Sequence, residues 1–301
     1  MKVLYVSGWC RSGSTLLGNV LGELPGVVHV GEMHYLWRNG VLRTGTNTTC
    51  GCGLPVADCP LWSAVLEAVA GPDLVATAQA MLTAQGRYLR TRHTAARLAE
   101  AVGRRTRPAE LVTALRRSVA AYRAVATRTE ARLVVDSSKY PAEAAALLDS
   151  DDVDLRVLHL IRDPRASANS WRRAKDYIPA MPVGRSTRYW TASNLASEWI
   201  GRRADHYLRL RYEDFTADPA GTLGAVLRLT DLDDEPPVDD AGRVELGVNH
   251  TVTGNPDRLV HGAVTIRADE AWRAQLPTAS AALATALAMP ALRRYGYPYH
   301  R

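Results

Sequence analysis

The sequence predicts an α/β fold of three layers, with a central parallel sheet flanked by helices, and three observations carry that prediction. Short β-branched and apolar runs recur at Lys2–Ser7, Val27–Val30, Leu133–Asp136, Leu155–Ile161 and Tyr207–Arg211. Stretches with apolar residues on helical spacing separate them, and strand, helix, strand in succession is the pattern of parallel pairing. The first run also breaks at Gly8 into a glycine-rich loop that opens a helix. The 301 residues, 47% apolar and 23% charged, suffice to bury a core and exclude a disordered chain.

In chain order, Lys2–Ser7 ends at Gly8, and Thr15–Leu24 carries helical periodicity up to Pro25. Val27–Val30 ends in Gly31-Glu32. Residues 61–132 are rich in Ala, Leu and Arg, with breaks near Gly71-Pro72, Gly103 and Arg107-Pro108, which predicts several helices. We read one domain, 1–301, with a helical insertion at about 61–131. The runs from Leu133, Leu155 and Tyr207 each give way to a polar turn and a helical stretch. Residues 176–188, with two prolines and a glycine, are either a mobile flap or a long connection. Asp231–Asp240 is a loop ahead of a polar tail.

No apolar run approaches the roughly 18 residues of a membrane-spanning helix, and the first strand is cut short by Gly8 and Arg11, too early for a secretory segment. The expectation is a soluble, cytoplasmic protein. The net charge of +6 suits the handling of phosphate or sulfate esters and is too scattered to indicate nucleic-acid binding.

In parallel sheets ligands bind beyond the carboxyl ends of the strands, here Gly8–Thr15, Glu32, Asp136–Lys139, Arg162–Arg165 and Tyr212. Gly8-Trp9-Cys10-Arg11-Ser12-Gly13-Ser14-Thr15 fits the P-loop frame G-x-x-x-x-G-K-[ST] except that Ser14 replaces the lysine, so the fold is P-loop-like. Backbone N–H groups and the helix dipole still cradle an anion, and Arg11 supplies a charge. The ammonium that reaches the β- and γ-phosphates is missing, which weighs against ATP chemistry. Arg162, at a strand end, offers a planar donor fork, and Ser170 two helical turns on can add a hydroxyl to the same phosphate. Arg162-Asp163-Pro164 is also a capped helix start with a local ion pair.

Arg11-Ser12-Gly13-Ser14-Thr15-Leu16-Leu17 resembles the 5′-phosphosulfate loop of the sulfotransferases that use 3′-phosphoadenosine 5′-phosphosulfate (PAPS). Leu158–Trp171, with Arg162 and Ser170, resembles that family's 3′-phosphate segment. Arg211-Tyr212-Glu213-Asp214-Phe215 resembles its strand-end motif, in which the Tyr lies near the adenine. The resemblance implies sulfuryl transfer from PAPS, giving 3′-phosphoadenosine 5′-phosphate (PAP), to a hydroxyl of a small-molecule, glycolipid or carrier-bound natural-product acceptor, with no metal required. It implies donor contacts from Arg11, Ser12, Gly13, Ser14, Thr15, Leu16, Arg162, Ser170 and Tyr212. Arg258 follows from the basic C-terminal loop that such enzymes close over the donor.

Matching prolines in Asp136-Ser137-Ser138-Lys139-Tyr140-Pro141 puts Lys139 where cytosolic members carry a catalytic His. A lysine there is suited to stabilise the bridging oxygen. The base is then sought in Gly31-Glu32-Met33-His34-Tyr35-Leu36-Trp37. Several carbohydrate and bacterial members use a Glu shortly after the second strand, which implies Glu32, shielded by Trp37 and Met33, with His34 as competitor. His250 is either an acceptor or donor contact or a hydrogen-bonded surface residue.

Two other functions stay open: a kinase-like ATP enzyme, for which Asp136 is the strand-end acid that would hold magnesium, and a non-catalytic module that binds a nucleotide or polyanion. Cys50, Cys52 and Cys59 crowd into one Gly/Pro-rich loop. They are small buried thiols, a Cys50–Cys59 disulfide, or part of a zinc site completed by His29, His34 or Cys10. The spacing is not a usual zinc-knuckle pattern, and no metal is assigned. Oligomeric state is not legible.

Overall fold

The computed structural model describes residues 1–174 and 178–300, so part of the segment 176–188 lies outside the described residues. Strands β1 (Lys2–Gly8), β2 (Val27–Gly31), β3 (Leu133–Lys139), β4 (Asp154–Ile161) and β5 (Tyr207–Arg211) form one parallel sheet in the order β2-β3-β1-β4-β5. These are the five predicted runs, with β3 three residues longer than expected.

Parallel sheets are covered on both faces, and β1 shows how the sequence achieves it. Its side chains alternate between two cores, and both are apolar. Val3 and Tyr5 join one with Trp62, Val65, Met81, Leu111, Tyr122 and Val125. Leu4 and Val6 join the other with Leu17, Val20, Val135, Leu158, Leu223 and Val226. A strand buried on both sides reads as a continuous apolar run.

The second core lies under α1 (Ser14–Leu21), which settles closely onto β2. A Cβ at Gly18 would lie 2.4 Å from the His29 ring, so only a glycine permits the approach. The first core lies under the helices of the predicted insertion, α2 (Pro60–Val69), α3 (Leu74–Tyr88), α4 (Thr94–Ala101) and α5 (Ala109–Thr129), followed by α6 (Pro141–Leu147) after β3. Beyond β4 come α7 (Pro164–Trp171) and α8 (Val183–Gly201), and beyond β5 come α9 (Tyr212–Ala217) and α10 (Pro219–Leu229). Among the described residues no single helix is long and apolar enough to cross a membrane.

The region read as a polar tail is structured. Arg243–Leu246 (β6) and Gly262–Thr265 (β7) pair antiparallel, and Val244 and Leu246 turn into the second core while their neighbours face out. Alternation over four residues is too brief to stand out in a sequence. Two further helices close the chain, α11 (Trp272–Gln275) and α12 (Thr278–Arg294). Ala288, Ala291 and Leu292 of α12 cover Trp190 and Ile161.

β1 lies at the middle of the sheet, with β3 and β2 to one side and β4 and β5 to the other. The connection from β1 leads to β2 on one side and that from β4 leads to β5 on the other, which opens a crevice at the carboxyl ends of β1 and β4.

Candidate functional site

The crevice is a cleft of about 320 Å³. Arg11, Gly13, Ser14, Thr15, Leu16, Glu32, Lys139, Arg162, Ser170 and Tyr212 all line it. Three of its wall residues that are not glycine, Arg11 (φ 71°), Lys139 (φ 68°) and Thr253 (φ 56°), adopt left-handed backbone conformations. Such conformations are disfavoured for side-chain-bearing residues and concentrate at ligand sites.

The loop is built around two glycines. A Cβ on Gly8 would lie 2.4 Å from the Leu160 carbonyl oxygen, so only glycine lets β1 turn out beside β4. Gly13 (φ 84°) is the N-cap of α1, and a Cβ there would lie 2.5 Å from the Tyr212 ring. No acidic residue occupies the first turn of α1, so its positive end is left for an anion. Gly13→Ala combines a forced left-handed conformation with a ring clash. It is expected to destabilise by roughly 1–3 kcal/mol and to weaken anion binding, measurable by thermal melting with and without added inorganic phosphate. Ser12 does not reach the wall; its buried hydroxyl has no partner among the described residues.

Arg162 leaves β4 beneath this loop. Its guanidinium donates to the Arg11 carbonyl (3.3 Å) and to the Asp269 carbonyl (2.8 Å) and carboxylate (2.9 Å), and it lies 4.3 Å above the Tyr212 ring. The arginine side chain is 9% exposed and the Asp269 side chain 58%, so a buried cation carries a counter-ion that faces solvent. The capped helix start and local ion pair are present too. Asp163 and Arg165 make them, leaving Arg162 to the cleft: the Asp163 carboxylate accepts from the Arg165 amide (2.8 Å) and guanidinium (2.6 Å). Asp269 carries no motif, and sequence reasoning missed it.

Across the cleft, Glu32 begins the segment after β2 and its amide donates to the Val252 carbonyl (2.7 Å). Lys139 ends β3, and its ammonium donates to Glu32 Oε1 (2.7 Å) and to the Ser137 carbonyl. Burial pulls the Lys139 pKa down, but the charge of the Glu32 carboxylate and its hydrogen bond act the other way. The net shift is upward, so the group is an ammonium at neutral pH. Trp37 and Met33 belong to the core, and Tyr35 forms cleft wall here.

His34 does not line the cleft. It is buried, with Nδ1 3.0 Å from Glu143 Oε2 and its ring stacked on Tyr140 at 3.9 Å. Tyr5 donates to the same Glu143 oxygen (3.0 Å), so His34 belongs to a buried polar network beneath the Glu32–Lys139 pair. Arg258 is also buried and off the wall, donating to Asn47 Oδ1 (2.7 Å) and the Thr49 carbonyl (2.9 Å). It pins the loop that brings Asn47 to the cleft. Asp136, the acid the ATP alternative required, is fully buried. It accepts from the Tyr122 hydroxyl (2.5 Å) and the Ser138 amide (2.7 Å), away from the cleft. His250 lies with the cysteines and does not line the cleft.

A model of the sulfotransferase family matches residues 4–236, most of the chain. Among solved structures the chain is similar to the sulfotransferase domain of an olefin synthase from Synechococcus PCC 7002, at 22% identity and a TM-score of 0.53. That match covers 99% of this chain and 95% of that one. It is similar also to a sulfotransferase domain from the curacin biosynthetic pathway, at 15% identity and a TM-score of 0.51, over 98% and 97% of the two chains. At these identities the likeness is one of fold. No curated protein sequence matches the chain. The family match spans the anion loop, the Glu32–Lys139 pair and the Arg162 and Tyr212 strand ends, and on it the chain belongs to the sulfotransferase family.

Proposed function

We propose that the protein transfers a sulfuryl group from PAPS to the hydroxyl of a small-molecule, glycolipid or carrier-bound acceptor. The observation that carries this reading is the convergence in one cleft of an anion loop, a buried Arg162 with a solvent-facing counter-ion, and a carboxylate–ammonium pair. PAPS, when bound, supplies a transferable SO₃ group and departs as PAP.

The chain's residues fit that donor. The Gly13–Leu16 amides and the α1 dipole suit a 5′-phosphosulfate, and Ser12 of the same loop keeps a buried hydroxyl with no partner among the described residues. Arg162 holds the Asp269 carboxylate through Nη2, a charge-assisted hydrogen bond that a phosphate can accept equally, and an incoming phosphate would displace the exposed Asp269 side chain. Ser170 adds a hydroxyl, and Tyr212, which supports Gly13, offers a ring to the adenine. Glu32 accepts the acceptor's proton. Lys139 holds positive charge where negative charge develops on the leaving oxygen, and its pairing with Glu32 orients both groups. No metal-held step is needed in this reading.

Calorimetric titration with PAP in buffer without added metal, alongside ATP with Mg²⁺, tests it. PAP is expected to bind with no added divalent cation. Arg162→Ala is expected to weaken binding by roughly 10–100-fold, the range for losing charge-assisted hydrogen bonds, and Ser14→Ala by less. Binding of ATP·Mg with no binding of PAP would overturn the donor assignment.

A further inference from the structure

Cys50, Cys52, Cys59 and His250 each direct one ligand atom into a common space, and these atoms lie within 4.8 Å of one another. Cys59 Sγ is 3.2 Å and Cys50 Sγ 3.8 Å from His250 Nδ1. Tetrahedral zinc, with bonds of about 2.3 Å to sulfur and about 2.0 Å to nitrogen, sets ligand–ligand edges of about 3.5–3.8 Å. The cluster thus needs shifts of only a few tenths of an ångström at the near contact and somewhat more at the widest. We infer that this chain carries a structural zinc site of three cysteines and one histidine, separate from the catalytic cleft.

Burial by itself pushes the Cys50 and Cys59 thiols up, and backbone donors face the sulfurs against it. The Cys52 amide points at Cys50 Sγ, and the Leu61 and Trp62 amides point at Cys59 Sγ from the start of α2. Amide donors and a helix N-terminus compensate the net −1 charge of a Cys₃His zinc centre. His250 is held from its backbone, its carbonyl accepting from Trp62 Nε1 (2.6 Å). Gly51 donates to the Thr251 carbonyl (3.0 Å) and Cys50 bridges to Val252, so the loop and the C-terminal segment meet in register.

The residues first considered as the fourth ligand are elsewhere. His29 is bound to Asn19 and Ser137, His34 lies beside Glu143, and Cys10 lines the cleft. All four cysteines are free thiols in this structure, so the Cys50–Cys59 disulfide is not formed. A disulfide between any two would also leave the third thiol and His250 facing it without a role. The site is closed by four protein ligands, which marks it as structural. It joins residues nearly 200 apart, immediately before Thr253 and Gly254 of the cleft wall. Binding releases one proton from each cysteine: Zn²⁺ plus three thiols and neutral imidazole gives a zinc tris-thiolate imidazole centre and three H⁺.

The test uses the full chain. Protein purified without chelator is assayed for metal by plasma mass spectrometry, and protein expressed with cobalt is examined by absorption spectroscopy. One zinc per chain is expected. The cobalt form should show intense d–d bands of tetrahedral geometry and thiolate-to-cobalt charge transfer. Cys59→Ser and His250→Ala should lose the metal, and Cys10→Ser should keep it. Protein without stoichiometric metal that takes up neither zinc nor cobalt would overturn the inference. So would a Cys50–Cys59 disulfide under non-reducing mass spectrometry, or metal retained in both ligand variants. The cobalt spectrum of the unaltered chain decides the matter if the variants do not fold.

Discussion

Glu32→Gln is expected to lower turnover by roughly 10²–10⁴-fold, the usual contribution of a positioned general base, while PAP affinity changes little. Glutamine has the same shape and still presents an oxygen to the Lys139 ammonium, so the packing that holds Lys139 between Glu32 and the Ser137 carbonyl survives. What it cannot do is take a proton. Glu32 lies across the cleft from Arg162 and the anion loop, so donor binding should not depend on its charge.

The paired measurement is turnover by PAP release at saturating acceptor, and PAP binding by calorimetry. A further discriminator is acceptor acidity. An acidic phenol needs less help losing its proton than an aliphatic alcohol, so the defect should shrink as acceptor pKa falls. A large loss of PAP affinity would instead make Glu32 a donor-binding residue. Unchanged turnover would assign the proton to another group. Measurable turnover in the unaltered chain, lost in Glu32→Gln, also separates the enzyme from a non-catalytic nucleotide-binding module.

Much of this site is legible because its chemistry sits where strands end. Gly8–Thr15, Glu32, Lys139, Arg162 and Tyr212 each follow a short apolar run, and local rules for strand, glycine turn and helix start suffice to find them. What local rules miss is pairing across the chain. His34 stands two residues from Glu32 and looks equally available. Only the fold reveals that Glu143, 109 residues on, holds it in the core. Arg258 looks like an exposed cation in a polar loop until Asn47 and Thr49 are brought around it. The cysteine cluster fails the zinc-spacing test for the same reason, since its fourth member lies 191 residues after Cys59. The β6–β7 pair escapes notice because a four-residue strand carries too little periodicity to compete with the surrounding polar sequence.

Acidification is expected to destabilise the fold by several kcal/mol between about pH 6.5 and 4. Two histidines are responsible. Burial, and then the Lys139 charge, pushes His29 down to about 3, and burial pushes His159 down to about 4. A base whose folded pKa is depressed stays neutral in the native state while the unfolded chain takes up the proton. Its stabilisation is therefore present above the unfolded value near 6.5 and is lost as pH falls toward the folded value. Asp136 acts in the opposite sense. Burial, and then Glu143, raises it to about 6, so the native state holds its proton more tightly than the unfolded chain does. That partly offsets the loss between about pH 6 and 4. Glu213, also raised by burial, adds to that offset, and the two large histidine shifts still leave a net loss that is a sizeable share of a typical folding free energy of about 5–15 kcal/mol.

The weak point should be the anion loop's own support. His29 lies against Gly18 of α1 and is bonded to Asn19 (3.0 Å) and Ser137 (3.1 Å), so charging it disturbs the helix whose N-terminus faces the cleft. Urea unfolding at pH 7 and pH 5 measures the slope, and His29→Gln and His159→Gln should each flatten it even where they lower stability at pH 7. A slope unchanged by both substitutions would show that neither imidazole governs acid stability. PAP binding that falls with pH only where the fold itself is lost would separate the helix from the site it supports.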